Sequence, residues 1–115
     1  MSEATKPVYL KLRDIIAASI LDGQYGEGDM LPSVRSFAAA QGANPLTVAK
    51  AYQGFQDEGL VEVQRGVGMY VAKGATDKLR RIERTNFMKN VWPPVVKQMR
   101  QIGISPQELL SLEDS

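Results

Sequence analysis

Carboxylates, hydroxyls, lysines and arginines are the chemically active groups of this chain, because its 115 residues contain neither cysteine nor histidine. The usual Cys/His metal clusters and the Ser-His or Cys-His nucleophile arrangements are therefore excluded. Acid–base chemistry on carboxylates needs acids that converge on one bond. Asp57 and Glu58 form an adjacent pair, but they sit side by side at an apparent helix end and do not converge across a cleft. The run Gly23-Gln24-Tyr25-Gly26-Glu27-Gly28 lacks the glycine spacing of a dinucleotide loop and has no strand before it, so it reads as a turn. Ser33 and Asn44 offer different chemistry, since each reads as the residue that opens a helix. A helix start presents unpaired N–H groups and positive potential, both suited to a phosphate.

Charge alone does not identify a partner. Fourteen Lys and Arg face thirteen Asp and Glu, a net charge of +1, and residues 1–74 hold seven basic against eight acidic side chains. A nucleic-acid reading must rest on where the cations stand. The opening Met-Ser-Glu-Ala-Thr-Lys lacks the apolar stretch of a secretory signal. No apolar run approaches the roughly 20 residues needed to cross a bilayer. A soluble, cytoplasmic protein without a membrane partner is the expectation. The length allows one domain plus an appendage of about forty residues, with no room for a second large ligand-binding domain.

The elements that would position these residues follow from periodicity and punctuation. Pro7 suits a first helical turn, after which Val8, Leu12, Ile15, Ile16 and Ser19 recur at helical spacing up to Leu21, where Asp22-Gly23 stops the helix. Residues 23–32 read as a loop anchored by Leu31. Ser33 caps a helix that runs to about Gln41, with Phe37, Ala38 and Ala40 as packing surface, and Gly42 closes it. Asn44-Pro45 opens the next, which reaches Glu58 before Gly59. Two helices joined by a short glycine-containing turn make a helix-turn-helix.

In the second of these helices Val48, Ala51, Tyr52 and Phe55 share the buried face, leaving Leu46, Lys50, Gln53 and Asp57 on the other side. Leu46 is apolar there without a role in the core, so it is a candidate to meet a thymine methyl. Val61 to Gln64 and Met69 to Ala72, around Arg65-Gly66-Val67-Gly68, read as a β-hairpin, the wing. The fold class is thus α+β, mainly helical: a winged helix-turn-helix domain over 1–74 and a short helical dimerisation segment over 75–115.

The ordered set Pro7-Val8-Tyr9, Gly28-Asp29-Met30-Leu31-Pro32-Ser33-Val34-Arg35, Asn44-Pro45-Leu46-Thr47-Val48, Ala51-Tyr52, Glu58-Gly59-Leu60 and Arg65-Gly66-Val67-Gly68 resembles the GntR family of bacterial regulators. The Asn-Pro-x-Thr-Val-Ala-Lys-Ala-Tyr run and short tail are similar to its YtrA subfamily, whose C-terminal helices dimerise and whose members commonly repress neighbouring transporter genes. The resemblance implies that Arg35, Thr47, Lys50, Arg65 and Gly66 touch DNA, besides the helix starts at Ser33, Asn44 and Pro45 and the outward Leu46. It also implies an operator of double-stranded DNA and no enzymatic activity. Asn44-Pro45 stands where many members carry Ser-Arg, and Met69 where threonine is common.

After Lys73-Gly74-Ala75 the composition turns basic, with Lys78, Arg80, Arg81 and Arg84 either extending a phosphate-binding surface or forming a solvated face. A helix there cannot pass unbroken through Pro93-Pro94, so a new one should begin with Val95, Met99 and Ile102 on one side. Ser105-Pro106-Gln107-Glu108 fits a capping box ahead of Leu109, Leu110 and Leu112. Apolar residues are dense in this tail, and they call for burial against a second copy or back on the winged domain. The expected function is a repressor that binds an inverted repeat as a homodimer. A winged-helix protein-interaction module and a small carboxylate enzyme are the alternatives. No cofactor is implied. A small-molecule effector would have to bind among the tail helices or at the dimer interface, with Trp92 as a lining residue.

Overall fold

The computed structural model describes residues 6–113; residues 1–5, within the stretch that lacks the apolar run of a secretory signal, and 114–115 lie outside it. The order is α1 (Val8–Leu21), α2 (Val34–Gln41), α3 (Pro45–Asp57), β1 (Val61–Gln64), β2 (Gly68–Val71), α4 (Ala75–Asn86), a π-helical segment (Phe87–Val91), α5 (Trp92–Ile102) and α6 (Pro106–Glu113). No described helix is long and apolar enough to cross a membrane. The chain divides into two compact units, Met1–Arg80 and Arg81–Ser115.

In the first unit α1 and α2 both pack on α3. The face of α3 expected to be buried is the buried one: Val48, Ala51, Tyr52 and Phe55 are all enclosed. Around them lie Ile16, Ile20, Leu31, Phe37, Leu60, Val61 and Val71. Enclosing an aliphatic or aromatic side chain of this size stabilises the fold by about 1.5–3 kcal/mol. The stripe of α1 differs from expectation. Leu12, Ile16, Ala17 and Ile20 are buried, whereas Val8 and Ile15 are exposed. Apolar residues surround most of α1, so spacing admits several stripes and packing against α3 selects one. Pro7 also lies one residue outside α1, where its carbonyl accepts from Leu10 and Lys11 N–H at 3.0 and 3.2 Å. Ala40 of α2 is exposed, while Phe37 and Ala38 are buried.

Strands β1 and β2 pair antiparallel from Val61↔Val71 to Gln64↔Gly68. At the tip Val67 N–H donates to the Gln64 carbonyl at 2.9 Å, and Gly66 has φ +77°. That is the sign pattern of a type II turn, whose third residue must adopt positive φ. The segment read as plain loop contributes a third edge. Met30 bridges Tyr70, and Gly28 and Leu31 N–H donate to the Val71 and Met69 carbonyls, both at 2.8 Å.

The prolines of the second unit are accommodated without a turn. Asn86, Val91 and Trp92 all keep right-handed helical backbone, and Trp92 N–H donates five residues back to the Phe87 carbonyl. The expected break is thus a π-helical segment. Widening the helix by one residue per turn relieves the clash of the Pro93 and Pro94 rings with the preceding carbonyls. Met99 of α5 is buried. The capping box at α6 forms reciprocally: Ser105 N–H donates to Glu108 Oε1 at 2.9 Å and Glu108 N–H to Ser105 Oγ at 3.2 Å.

Candidate nucleic-acid interface

The turn between α2 and α3 sets how the second helix is presented. Gly42 ends α2 at φ 64°, a conformation that costs an L-residue about 1–2 kcal/mol, and Ala43 N–H returns to the Ala38 carbonyl at 2.9 Å. Asn44 then caps α3 through Oδ1, which accepts from Leu46 N–H at 2.7 Å. On the far side of α3 from the core, Leu46 is 81% exposed and Lys50 and Gln53 are exposed as well. Thr47 is half-buried. Leu46, one turn from Lys50, is a large apolar side chain held in water on a rigid helix, an arrangement that suits contact with an outside partner.

The two helix starts differ in a way that the sequence does not show. At α3 no first-turn N–H is left over: Pro45 has none, Leu46 donates to the Asn44 side chain, and Thr47 and Val48 donate to the Asn44 carbonyl at 3.0 and 3.1 Å. The free donors expected there are absent, and only the end potential of the helix remains. At α2, Ser33 Oγ accepts from Ser36 N–H at 3.1 Å and its carbonyl from Phe37 N–H at 2.9 Å. Val34 and Arg35 N–H have no partner among the described residues, so α2 keeps the donors that an anion needs. The Arg35 side chain is exposed and unpaired among the described residues, and so is that of Arg65.

Several interactions fix this surface to the scaffold. Tyr52 Oη donates to the Pro32 carbonyl at 2.7 Å, tying the residue before Ser33 to the middle of α3. Burial, with a smaller effect of nearby Tyr25, pushes the Tyr52 hydroxyl up to about 12. A groove of about 440 Å³ runs between the start of α2 and the wing, lined by Val34, Tyr52, Arg65, Gly66 and Val67 among others. The structure thus brings the α2 start beside the wing turn. Lys50 is held differently: its Nζ lies 4.0 Å over the Tyr9 ring of α1. Sequence reading missed Tyr9, because nothing local to residue 9 signals a partner on α3.

Other sequence-derived candidates have structural partners. Asp57 accepts from Gln53 at 2.8 Å, and Glu58 Oε1 lies 3.8 Å from Arg13, so each of the adjacent acids has a partner of its own. Lys78 donates to the Glu58 carbonyl at the end of α3, and Arg80 pairs with Asp77 at 2.9 Å. In the second unit Trp92 is half-buried and stacks on Phe87, with ring centroids 6.4 Å apart. No group of three or more acids able to hold a metal ion occurs among the described residues.

Residues 8–71, spanning α1 through β2, match the bacterial regulatory proteins of the gntR family. The chain belongs to the GntR family. This GntR-family chain is 32% identical over 101 residues to the HTH-type transcriptional repressor YtrA of Bacillus subtilis, covering 88% of this chain and 72% of YtrA. Its structure resembles a GntR family transcriptional regulator from Listeria monocytogenes with a TM-score of 0.75 and 25% identity, covering 98% and 97% of the two chains. It also resembles the DNA-binding domain of AraR in complex with operator ORR3, with a TM-score of 0.60 and 25% identity over 63% of this chain and 87% of that one. The mainly helical winged-helix fold and the family agree with the sequence reading. The chain is a DNA-binding transcriptional regulator and not an enzyme.

Proposed function

We propose that this GntR-family regulator is a cytoplasmic homodimeric repressor that occupies an inverted-repeat operator. Residues 1–74 serve as the DNA-binding part and 75–115 as the dimerisation tail. The observation that carries the reading is the open outward side of α3, with Leu46 81% exposed and Lys50 exposed beside it. A helix with that side free enters a major groove, and two copies would read half-sites about 34–36 Å apart. The Ser33 hydroxyl and the Arg35 side chain, next to the unpaired N–H groups of α2, take phosphates. Asn44 and Pro45 set the start of α3, Leu46 and Thr47 meet base edges, and Lys50 adds positive charge. Arg65 and Gly66 take the flanking minor groove, where the absence of a Cβ permits close approach.

Pairing of two tails is supported by the exposed Phe87, Met88, Val91, Ile102 and Leu110, which a second copy would cover. Repression is supported by the name of YtrA as a repressor. A small-molecule effector would bind among the tail helices, where quenching of Trp92, the single tryptophan, reports it.

Gel shifts on a duplex from the protein's own promoter, across a salt series, test the proposal together with sedimentation equilibrium. Expected are two copies per duplex and an association constant that falls steeply with salt, because released counterions drive phosphate binding. Arg35→Ala should weaken it at every salt concentration. Salt-insensitive binding, or full activity of Arg35→Ala, would point to a protein-interaction module instead.

A further inference from the structure

Lys50 and Tyr9 meet in a way that the proposed function does not use, since it needs Lys50 only as a positive charge on α3. We infer that Tyr9 is a positioning residue: its ring holds the Lys50 ammonium at the flank of the recognition helix, where it takes a backbone phosphate and not a base edge. The inference rests on the DNA-binding reading and specifies the role of one of its residues.

Three observations carry it. First, the ammonium lies 4.0 Å from the centroid of the ring, well inside the range of a cation–π attraction. Second, the neighbouring acids are engaged elsewhere. A hollow of about 340 Å³ between α1 and α3 is lined by Tyr9, Arg13, Lys50, Asp57 and Glu58. Of its acids, Asp57 is held by Gln53 at 2.8 Å and Glu58 by Arg13 at 3.8 Å. An ammonium over a ring turns one side, with one or two N–H groups, to the π face and leaves the other side open, so Lys50 is aimed but still able to bind.

Third, the direction of aim separates Lys50 from Leu46. Leu46 projects free of protein, 81% exposed, whereas Lys50 is drawn sideways toward α1, which packs along α3. When α3 lies in a major groove its centre line faces base edges and its flanks face the sugar–phosphate walls. An ammonium is a compact, strongly hydrated point charge, suited to phosphate oxygens and without the fixed fork that reads guanine. Holding it in place lowers the entropic cost of ordering it when a phosphate binds.

The experiment selects a preferred duplex from a random-sequence library with the full-length wild-type protein. Affinity is then measured against salt for wild type, Lys50→Ala, Tyr9→Leu, Tyr9→Phe and the double variant Tyr9→Leu/Lys50→Ala. Lys50→Ala should lower the slope of log K against log salt by about 0.9 for each phosphate that it leaves unneutralised, with base preferences unchanged. Tyr9→Leu should weaken binding by about two- to five-fold, the equivalent of a surface cation–π interaction, at unchanged slope. Tyr9→Phe keeps the ring and should bind as wild type, and Tyr9→Leu should cost nothing once Lys50 is absent. Thermal melts confirm that each variant is folded.

A changed base preference in Lys50→Ala overturns the phosphate assignment. Tighter binding by Tyr9→Leu, or an equal loss in Tyr9→Phe, overturns the positioning role, the latter because it assigns the effect to the hydroxyl. A wild-type protein that binds no duplex overturns the functional proposal as well.

Discussion

Leu46→Ala probes how the recognition helix reads sequence. At 81% exposure the side chain contributes almost nothing to the folded core, and alanine is the better helix former, so stability should stay within about 0.5 kcal/mol of wild type. Nearly all of its surface is available to be covered by DNA. Complete burial of a leucine is worth about 1.5–3 kcal/mol, and contact with a single thymine methyl covers one side of it, so about 1 kcal/mol is at stake. That is about five-fold in affinity. The assay compares base preferences of wild type and variant on a randomised duplex pool, then replaces the indicated thymine by uracil, which deletes the methyl alone. Wild type should bind the uracil duplex about five-fold more weakly, and Leu46→Ala should be indifferent to the change. Equal weakening of the variant on every sequence, or indifference of wild type to uracil, would refute the reasoning, since apolar contact with a methyl acts at one base pair only.

Phe55 is fully buried, with Arg13 5.5 Å over its ring, so Phe55→Ala should cost about 3–5 kcal/mol, visible as a lower urea midpoint. Because the Tyr52 hydroxyl stays protonated up to about 12 in the folded chain but ionises near 10 when unfolded, unfolding releases a proton between those values. Stability should therefore be intact below pH 10 and fall as pH rises toward 12; Tyr52→Phe should flatten that fall in a series of urea melts. In the tail, Ile102 and Leu110 are 61% and 66% exposed, so Ile102→Glu with Leu110→Glu should shift sedimentation toward monomer without lowering the melting of the winged unit. An unchanged dimer would place the interface elsewhere.

Much of this protein is legible in its sequence because the relevant physics acts over about four residues or fewer. Ser33 and Asn44 as caps, Gly42 as the stop of α2, the reciprocal bonds of Ser105 and Glu108, and the buried face Val48-Ala51-Tyr52-Phe55 all depend on neighbours along the chain. The ordered motif from Pro7 to Gly68 likewise pointed to the family that residues 8–71 match.

Tertiary structure decided what depends on residues far apart in the chain. Packing on α3 buried Leu12 and Ile16 of the expected α1 stripe, left Val8 and Ile15 exposed, and enclosed Ala17 and Ile20 in their place. Pairing with β2 turned Met30 from loop into a strand edge. At the two helix starts, among the described residues, free N–H groups remain on α2 and none on α3, because Asn44 takes up those that Pro45 leaves. The Lys50 ammonium came to rest over Tyr9, which lies a whole helix-turn-helix earlier in the chain. Periodicity states which side of a helix is apolar, but the neighbour that meets that side, and the partner that a long cation finds, are set only when the helices pack.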